Sequence, residues 1–152
     1  MKARRIESDT HDIIITTEEI RNGERETSRM QLKGSLKKQG DVHILSSQEN
    51  LEHGQESLPV LSTITIHPGQ HITLQRAGRY SSSFVFEPDK RHDAVYQTPY
   101  GNLSLGVTTK NALFHTHEDF SDLHLLYLPD NGQEILSEHH MKIEIKNRKD
   151  TP

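Results

Sequence analysis

Residues 96–110 read YQTPYGNLSLGVTTK, which is the pattern of two strands joined by a tight turn. Pro99 stands at the second position of the turn and Gly101 at the fourth, as a type I turn favours. After the turn an apolar side chain recurs at every second position, at Leu103, Leu105 and Val107. This alternation is typical of a strand with one buried face, so the run predicts a β-hairpin.

The same period of two extends outward from this hairpin. It recurs in Ile64 and Ile66, in Leu123, Leu125 and Tyr127, and in Met141, Ile143 and Ile145. Turn signals separate the runs: Asn22-Gly23 and Asn131-Gly132 predict type I′ turns, Pro68-Gly69 a type II turn and Glu87-Pro88-Asp89 a type I turn. About nine or ten strands joined by short hairpins predict an antiparallel meander, and closing the meander into a barrel protects its edges.

Length and composition agree with one small β domain. The chain has 152 residues, and only 31% are hydrophobic, with no Trp. Such a composition suits a sheet that buries one face better than an α/β core, whose central strands are apolar on both faces. We expect residues 12–146 to form the domain and residues 1–11 and 147–152 to be disordered tails.

Charge and cysteine content exclude several classes of function. The net charge is −4, so the chain offers no basic field for nucleic acid. It has no Cys, which excludes disulfides, a thiol nucleophile and thiolate metal sites. No secretory signal or long apolar run is visible, and we expect a cytoplasmic protein without a nucleic-acid or membrane partner.

Four spaced motifs suggest a family. They are Leu74-x-Arg76-x-Gly78, Phe84-x-Phe86, Tyr96-x-Thr98-Pro99-Tyr100-Gly101 and Leu103-x-Leu105-x-Val107-x-Thr109. Together they resemble the YwiB-like family of small bacterial proteins, and the resemblance extends over residues 12–146. It implies an all-β fold, a calycin (lipocalin-like) barrel of about eight to ten strands. That family is of unknown function and supplies no catalytic residue.

Arg76 is the first candidate for a ligand-binding residue. It is in phase with Ile72 and Leu74, so strand alternation directs its guanidinium toward the apolar face. A cation on that face needs a carboxylate, carbonyls or a bound anion. An inward Arg could hold the carboxylate or phosphate of a ligand; the alternative is an Arg paired within the protein.

Four hydroxyl-bearing residues share this face: Tyr96, Thr98, Thr109 and Tyr127. Together with Arg76 they could be the few polar groups that orient a ligand in an apolar pocket. The alternative is that the tyrosines fill the barrel and bind ordinary hydrogen-bond partners.

Histidines suggest a weaker, metal-binding possibility. His115 and His117 share one side of a probable strand, a spacing that can chelate a metal, with Glu118, Asp119 and His124 close in sequence. The alternative is exposed histidines without a ligand. We predict no cofactor and no catalytic residue, since Ser81-Ser82-Ser83 lacks the Gly-x-Ser-x-Gly surroundings of an activated nucleophile.

The sequence therefore leaves three functions open. The leading hypothesis is non-enzymatic binding of a small, possibly anionic ligand at the barrel mouth. The second is a packed barrel that contacts another protein or forms a homodimer. The third is a metal-dependent enzyme that uses His115 and His117.

Overall fold

The computed structural model describes residues 10–53 and 56–148, with side chains described outside residues 50–58. It contains ten strands: β1 (His11–Arg21), β2 (Glu24–Gln39), β3 (Val42–His53), β4 (Glu56–His67), β5 (His71–Ala77), β6 (Ser82–Phe86), β7 (Arg91–Thr98), β8 (Gly101–Thr116), β9 (Phe120–Asp130) and β10 (Glu138–Asn147). The predicted all-β class is confirmed. In the described ranges no helix is long and apolar enough to cross a membrane.

The strands form one closed antiparallel barrel in sequence order. Each strand pairs with its neighbours in the chain, and β1 also pairs with β10, from His11 opposite Asn147 to Ile20 opposite Glu138. This pairing removes the free edges, which is the reason for closure anticipated from the long meander. The strands extend one residue beyond the predicted domain at each end. Of the predicted tails, residues 1–9 and 149–152 lie outside the described residues.

Two of the turns have the predicted geometry. Asn22 and Gly23 both have positive φ, 52° and 80°, as a type I′ turn requires. Gly69 has a φ of 75°, which suits the third position of a type II turn. Two other turn predictions were wrong.

Asp89 has a φ of 65° at the third turn position, which excludes the type I turn predicted there. In the connection from β9 to β10, only Gly132 of the Asn131-Gly132 pair has a positive φ. The Asn131 side-chain oxygen accepts hydrogen bonds from the backbone N–H groups of Gln133 and Glu134. This local bonding competes with the hairpin turn, and the connection is longer than predicted.

The core fills one end of the barrel. We call this the closed end: it is where β1 begins and β10 finishes. Its buried side chains form one cluster, which contains Ile13, Leu45, Ile64, Ile66, Ile72, Leu74, Phe86, Ala94, Val107, Leu123, Leu125, Ile143 and Ile145. Gly34 allows β2 and β3 to approach there, because a Cβ atom on it would lie 2.1 Å from the carbonyl oxygen of Ser46.

A salt bridge connects two strands that are not neighbours. The Arg91 guanidinium donates two hydrogen bonds to the Asp130 carboxylate, at 3.0 and 2.8 Å, and so joins β7 to β9 across β8. The Arg91 guanidinium passes over Gly106 on β8, where any side chain would collide with it. The Arg91 hydrogen bonds hold the pKa of Asp130 below its ordinary value.

Candidate ligand-binding cavity

The opposite end of the barrel, which we call the open end, contains a cavity of about 530 Å³. This volume is typical of a small-molecule site. The cavity is lined by Glu19, Arg21, Glu49, Val60, Arg76, Tyr80, Ser81, Ser82, Phe84, Tyr96, Gln97, Leu105, Val107, Tyr127, Pro129, Leu136, Ser137 and His139. Three of the five residues predicted to face a ligand are therefore in its wall: Arg76, Tyr96 and Tyr127.

Strand register places Arg76 at the rim of this cavity. Arg76 pairs with Ser82 on β6, and Ser82 pairs with Tyr96 on β7, so the three lie side by side across neighbouring strands. Arg76 is exposed. Among the side chains that the structure describes, no carboxylate lies within ion-pair distance of Arg76. Its charge thus remains available to a molecule that enters the cavity.

Tyr127 lies deeper, where the cavity meets the core. Burial raises the pKa of its phenol to about 12, although the nearby Arg76 acts in the opposite direction. The phenol is therefore neutral at physiological pH and can donate a hydrogen bond. Arg76 and Tyr127 both line this cavity.

His139 lines the cavity and was not predicted as a ligand-binding residue. Its ring stacks on Tyr127, with the ring centres 5.0 Å apart and the planes 9° from parallel. Its Nε2 atom lies 2.9 Å from the Ser137 hydroxyl oxygen. Burial lowers the pKa of His139, partly opposed by the charge of Glu19, which favours the neutral imidazole. Strand alternation could have identified His139 from the sequence, because it is in phase with Met141 and Ile143.

The contact between Ser137 and His139 is not the core of a catalytic triad. A triad needs a third group that accepts a hydrogen bond from the other histidine nitrogen. Within residues 10–49 and 59–148, Glu19 is close enough to influence His139, but its carboxylate bonds Arg21 at 2.6 Å instead. Ser137 is itself only 6% exposed, so its hydroxyl is poorly placed to attack a substrate.

Two predicted residues lie outside the cavity lining. The Thr98 hydroxyl donates to the carbonyl oxygen of Gly101 at 2.6 Å and accepts from the Tyr100 N–H, so it stabilises the turn from β7 to β8. Thr109 is fully buried below the cavity. Its hydroxyl has no hydrogen-bond partner in the part of the chain that is described. Strand alternation gave the inward face for both residues, but it does not give their height in the barrel.

Three histidines lie elsewhere, around the turn that joins β8 to β9. A nitrogen of His115 lies 3.3 Å from one oxygen of Asp122, and nitrogens of His117 and His124 lie 3.5 and 3.9 Å from the other. Glu118 and Asp119, also considered from the sequence, form no ion pair with these histidines. All three imidazoles are exposed, and the described residues contain no group of three or more side chains arranged to hold a metal ion.

Comparison with known proteins agrees with this architecture. The crystal structure of the ywiB protein from Bacillus subtilis is similar over 93% of this chain and 94% of that chain, with a TM-score of 0.78. The two sequences are 17% identical, so the likeness concerns the fold alone. No curated protein matches the chain.

The family comparison covers most of the barrel. The model of a domain of unknown function, DUF1934, matches residues 13–143, from β1 into β10. The YwiB-like resemblance inferred from the motifs around Arg76 and Tyr96 is confirmed, together with the closed antiparallel β-barrel. The chain belongs to the DUF1934 family.

Proposed function

We propose that this protein binds a small anionic molecule at the open end of its barrel and does not transform it chemically. The observation that carries the proposal is Arg76: an exposed guanidinium on the wall of a cavity of about 530 Å³, without a carboxylate partner among the described side chains. A guanidinium in this position can donate two parallel hydrogen bonds to a carboxylate, sulfonate or phosphate group.

The rest of the lining supports binding. Phe84 and Leu105 offer apolar surface, whereas Tyr96 and Tyr127 add hydroxyl groups. Apolar walls with a few polar groups are the usual composition of a small-molecule site, since burial supplies affinity and the polar groups fix orientation. Arg21 is bonded to Glu19, so Arg76 is the cation we assign to the ligand.

A pair of fluorescent probes tests the contribution of charge. The probes are 1-anilinonaphthalene-8-sulfonate and its neutral analogue N-phenyl-1-naphthylamine, which share a ring system and differ in the sulfonate. We expect Arg76→Gln to weaken sulfonate binding about tenfold, because it removes a charge-assisted hydrogen bond at an exposed site. Binding of the neutral probe should change little.

Arg29→Gln is the matched control, because Arg29 is exposed on β2 and does not line the cavity. Each variant is checked for an unchanged melting temperature. An equal effect of Arg76→Gln and Arg29→Gln on sulfonate binding contradicts the proposal, as does the absence of saturable binding by wild-type protein.

A further inference from the structure

Aromatic residues are few in this chain and concentrated in one place. The sequence contains four Phe and four Tyr. Four of these eight line the cavity, namely Tyr80, Phe84, Tyr96 and Tyr127. Phe86, buried in the core, is in ring contact with two of them. An uneven distribution of this kind indicates that the cavity wall has a requirement for ring surface that the rest of the barrel lacks.

The rings form a continuous row along the inner wall. Tyr96 and Phe84 are nearly parallel, with centres 6.2 Å apart and planes at 21°. Phe84 and Phe86 follow at 6.0 Å and 3°. Phe86 then meets Tyr127 at 4.9 Å, and Tyr127 stacks on His139. The row thus passes from β7 through β6 to β9 and β10.

Packing holds this row in position before any ligand arrives. Phe86 is 1% exposed and supports both Phe84 and Tyr127 from the core side. His139 is held by the Ser137 hydroxyl. A preformed wall loses little side-chain entropy on binding, so its ring faces can contribute fully to affinity.

The register of β5 against β6 gives the position of Arg76 relative to the rings. Leu74 on β5 pairs with Phe84, and Arg76, two residues further along β5, pairs with Ser82 at the rim. Two strand residues span roughly 7 Å. The backbone of Arg76 therefore lies about one ring length above that of Phe84, toward the solvent.

We infer that the ligand is a flat aromatic molecule with one anionic group, its rings against Phe84, Tyr96 and Tyr127 and its anion at Arg76. This inference rests on the proposed function and specifies the ligand class of the same cavity. A flexible aliphatic acid would satisfy Arg76 equally well but would not use the row of rings. Stacked or edge-on aromatic contacts add to the gain from burial alone, and saturated rings cannot make them.

Calorimetric titration with 2-naphthoate and decahydronaphthalene-2-carboxylate tests the inference, since both are two-ring carboxylates and only the first is flat and aromatic. We expect 2-naphthoate to bind the wild-type chain about tenfold more tightly. Phe84→Leu keeps apolar bulk and should reduce this preference severalfold while leaving the affinity for the saturated acid nearly unchanged.

Phe114→Leu is the control, because Phe114 packs against the core and lies outside the cavity lining. Where Phe84→Leu fails to fold, Tyr96→Leu takes its place. Equal affinity for the two acids, or tighter binding of the saturated one, overturns the aromatic inference and leaves the proposed function standing. Binding of neither acid, together with no binding of the sulfonate probe, overturns both.

Discussion

The closed and open ends of the barrel follow the same alternation of side chains and differ in what the inward positions carry. On β5, Ile72 and Leu74 are buried at the closed end, and the next inward residue, Arg76, is exposed at the rim. On β9, Leu123 and Leu125 are buried, and Tyr127 follows at the cavity. The comparison teaches that one end supplies the apolar burial that stabilises the fold, which leaves the other free to carry polar groups.

Truncating one leucine at each end tests whether the closed end is packed more tightly than the open end. This test has the largest expected effect. Leu123 is 0% exposed in the closed end, so Leu123→Ala should lower the free energy of unfolding by about 3–4 kcal/mol. Leu105 lines the cavity and is only partly buried, so Leu105→Ala should cost about 1 kcal/mol. Urea denaturation measures both, and equal losses would mean that the open end is also packed.

Lowering the pH compares the two ends through their histidines, and its expected effect on the free energy of unfolding is intermediate. Burial lowers the pKa of His139 at the open end and of His43 at the closed end. A lowered pKa means that the unfolded chain takes up the proton first as pH falls below about 6.5, so stability is present above that pH and is lost below it. We expect the free energy of unfolding to decline between pH 7.5 and 5.5.

His139→Gln removes the open-end contribution to this pH dependence, and His43→Gln removes one of two at the closed end, where burial also lowers the pKa of His11. Each variant should show a shallower decline than the wild-type chain, because one partly buried imidazole no longer resists protonation. Urea denaturation at pH 7.5, 6.5 and 5.5 provides the measurement. An unchanged slope in His139→Gln would show that its imidazole is freely hydrated in the cavity.

Thr109→Val has the smallest expected effect and tests where the packed region begins. The Thr109 hydroxyl is buried without a partner among the described residues, so replacing it with a methyl group of similar size should raise the free energy of unfolding, by up to about 1 kcal/mol. Thermal denaturation shows whether Thr109→Val raises or lowers the stability. A loss of stability would mean that the hydroxyl is hydrogen-bonded, and that the polar region extends below Tyr127.

Much of the fold could be predicted, because the alternation of apolar and polar side chains along a strand is a local property of the sequence. The apolar positions of Leu123, Leu125, Ile143 and Ile145 identified inward faces, and Asn22-Gly23 identified a turn whose positive φ values the structure has. The Asn131-Gly132 turn was not predictable in the same way, since the outcome depends on a competition between two local hydrogen-bonding patterns.

The site could be predicted only in part. Alternation identified Arg76, Tyr96 and Tyr127, which the structure brings to one cavity. Thr98 has the right parity but bonds its own turn. The row of rings from Tyr96 to His139 was missed, because the contact between Phe86 and Tyr127 joins β6 to β9, and a contact across the barrel cannot be predicted from spacing along one strand.

The pairing of the first and last strands has a practical consequence for the design of variants. His11 lies opposite Asn147, and the Arg148 N–H donates to the Thr10 carbonyl oxygen at 3.1 Å, so the two ends of the described chain lie side by side. A circular permutant that joins these ends and opens the hairpin at Gly40-Asp41 should keep the neighbours of all ten strands. Both its junction and its new termini lie at the closed end, so a surface-tethered permutant would present the ring-lined mouth to solution.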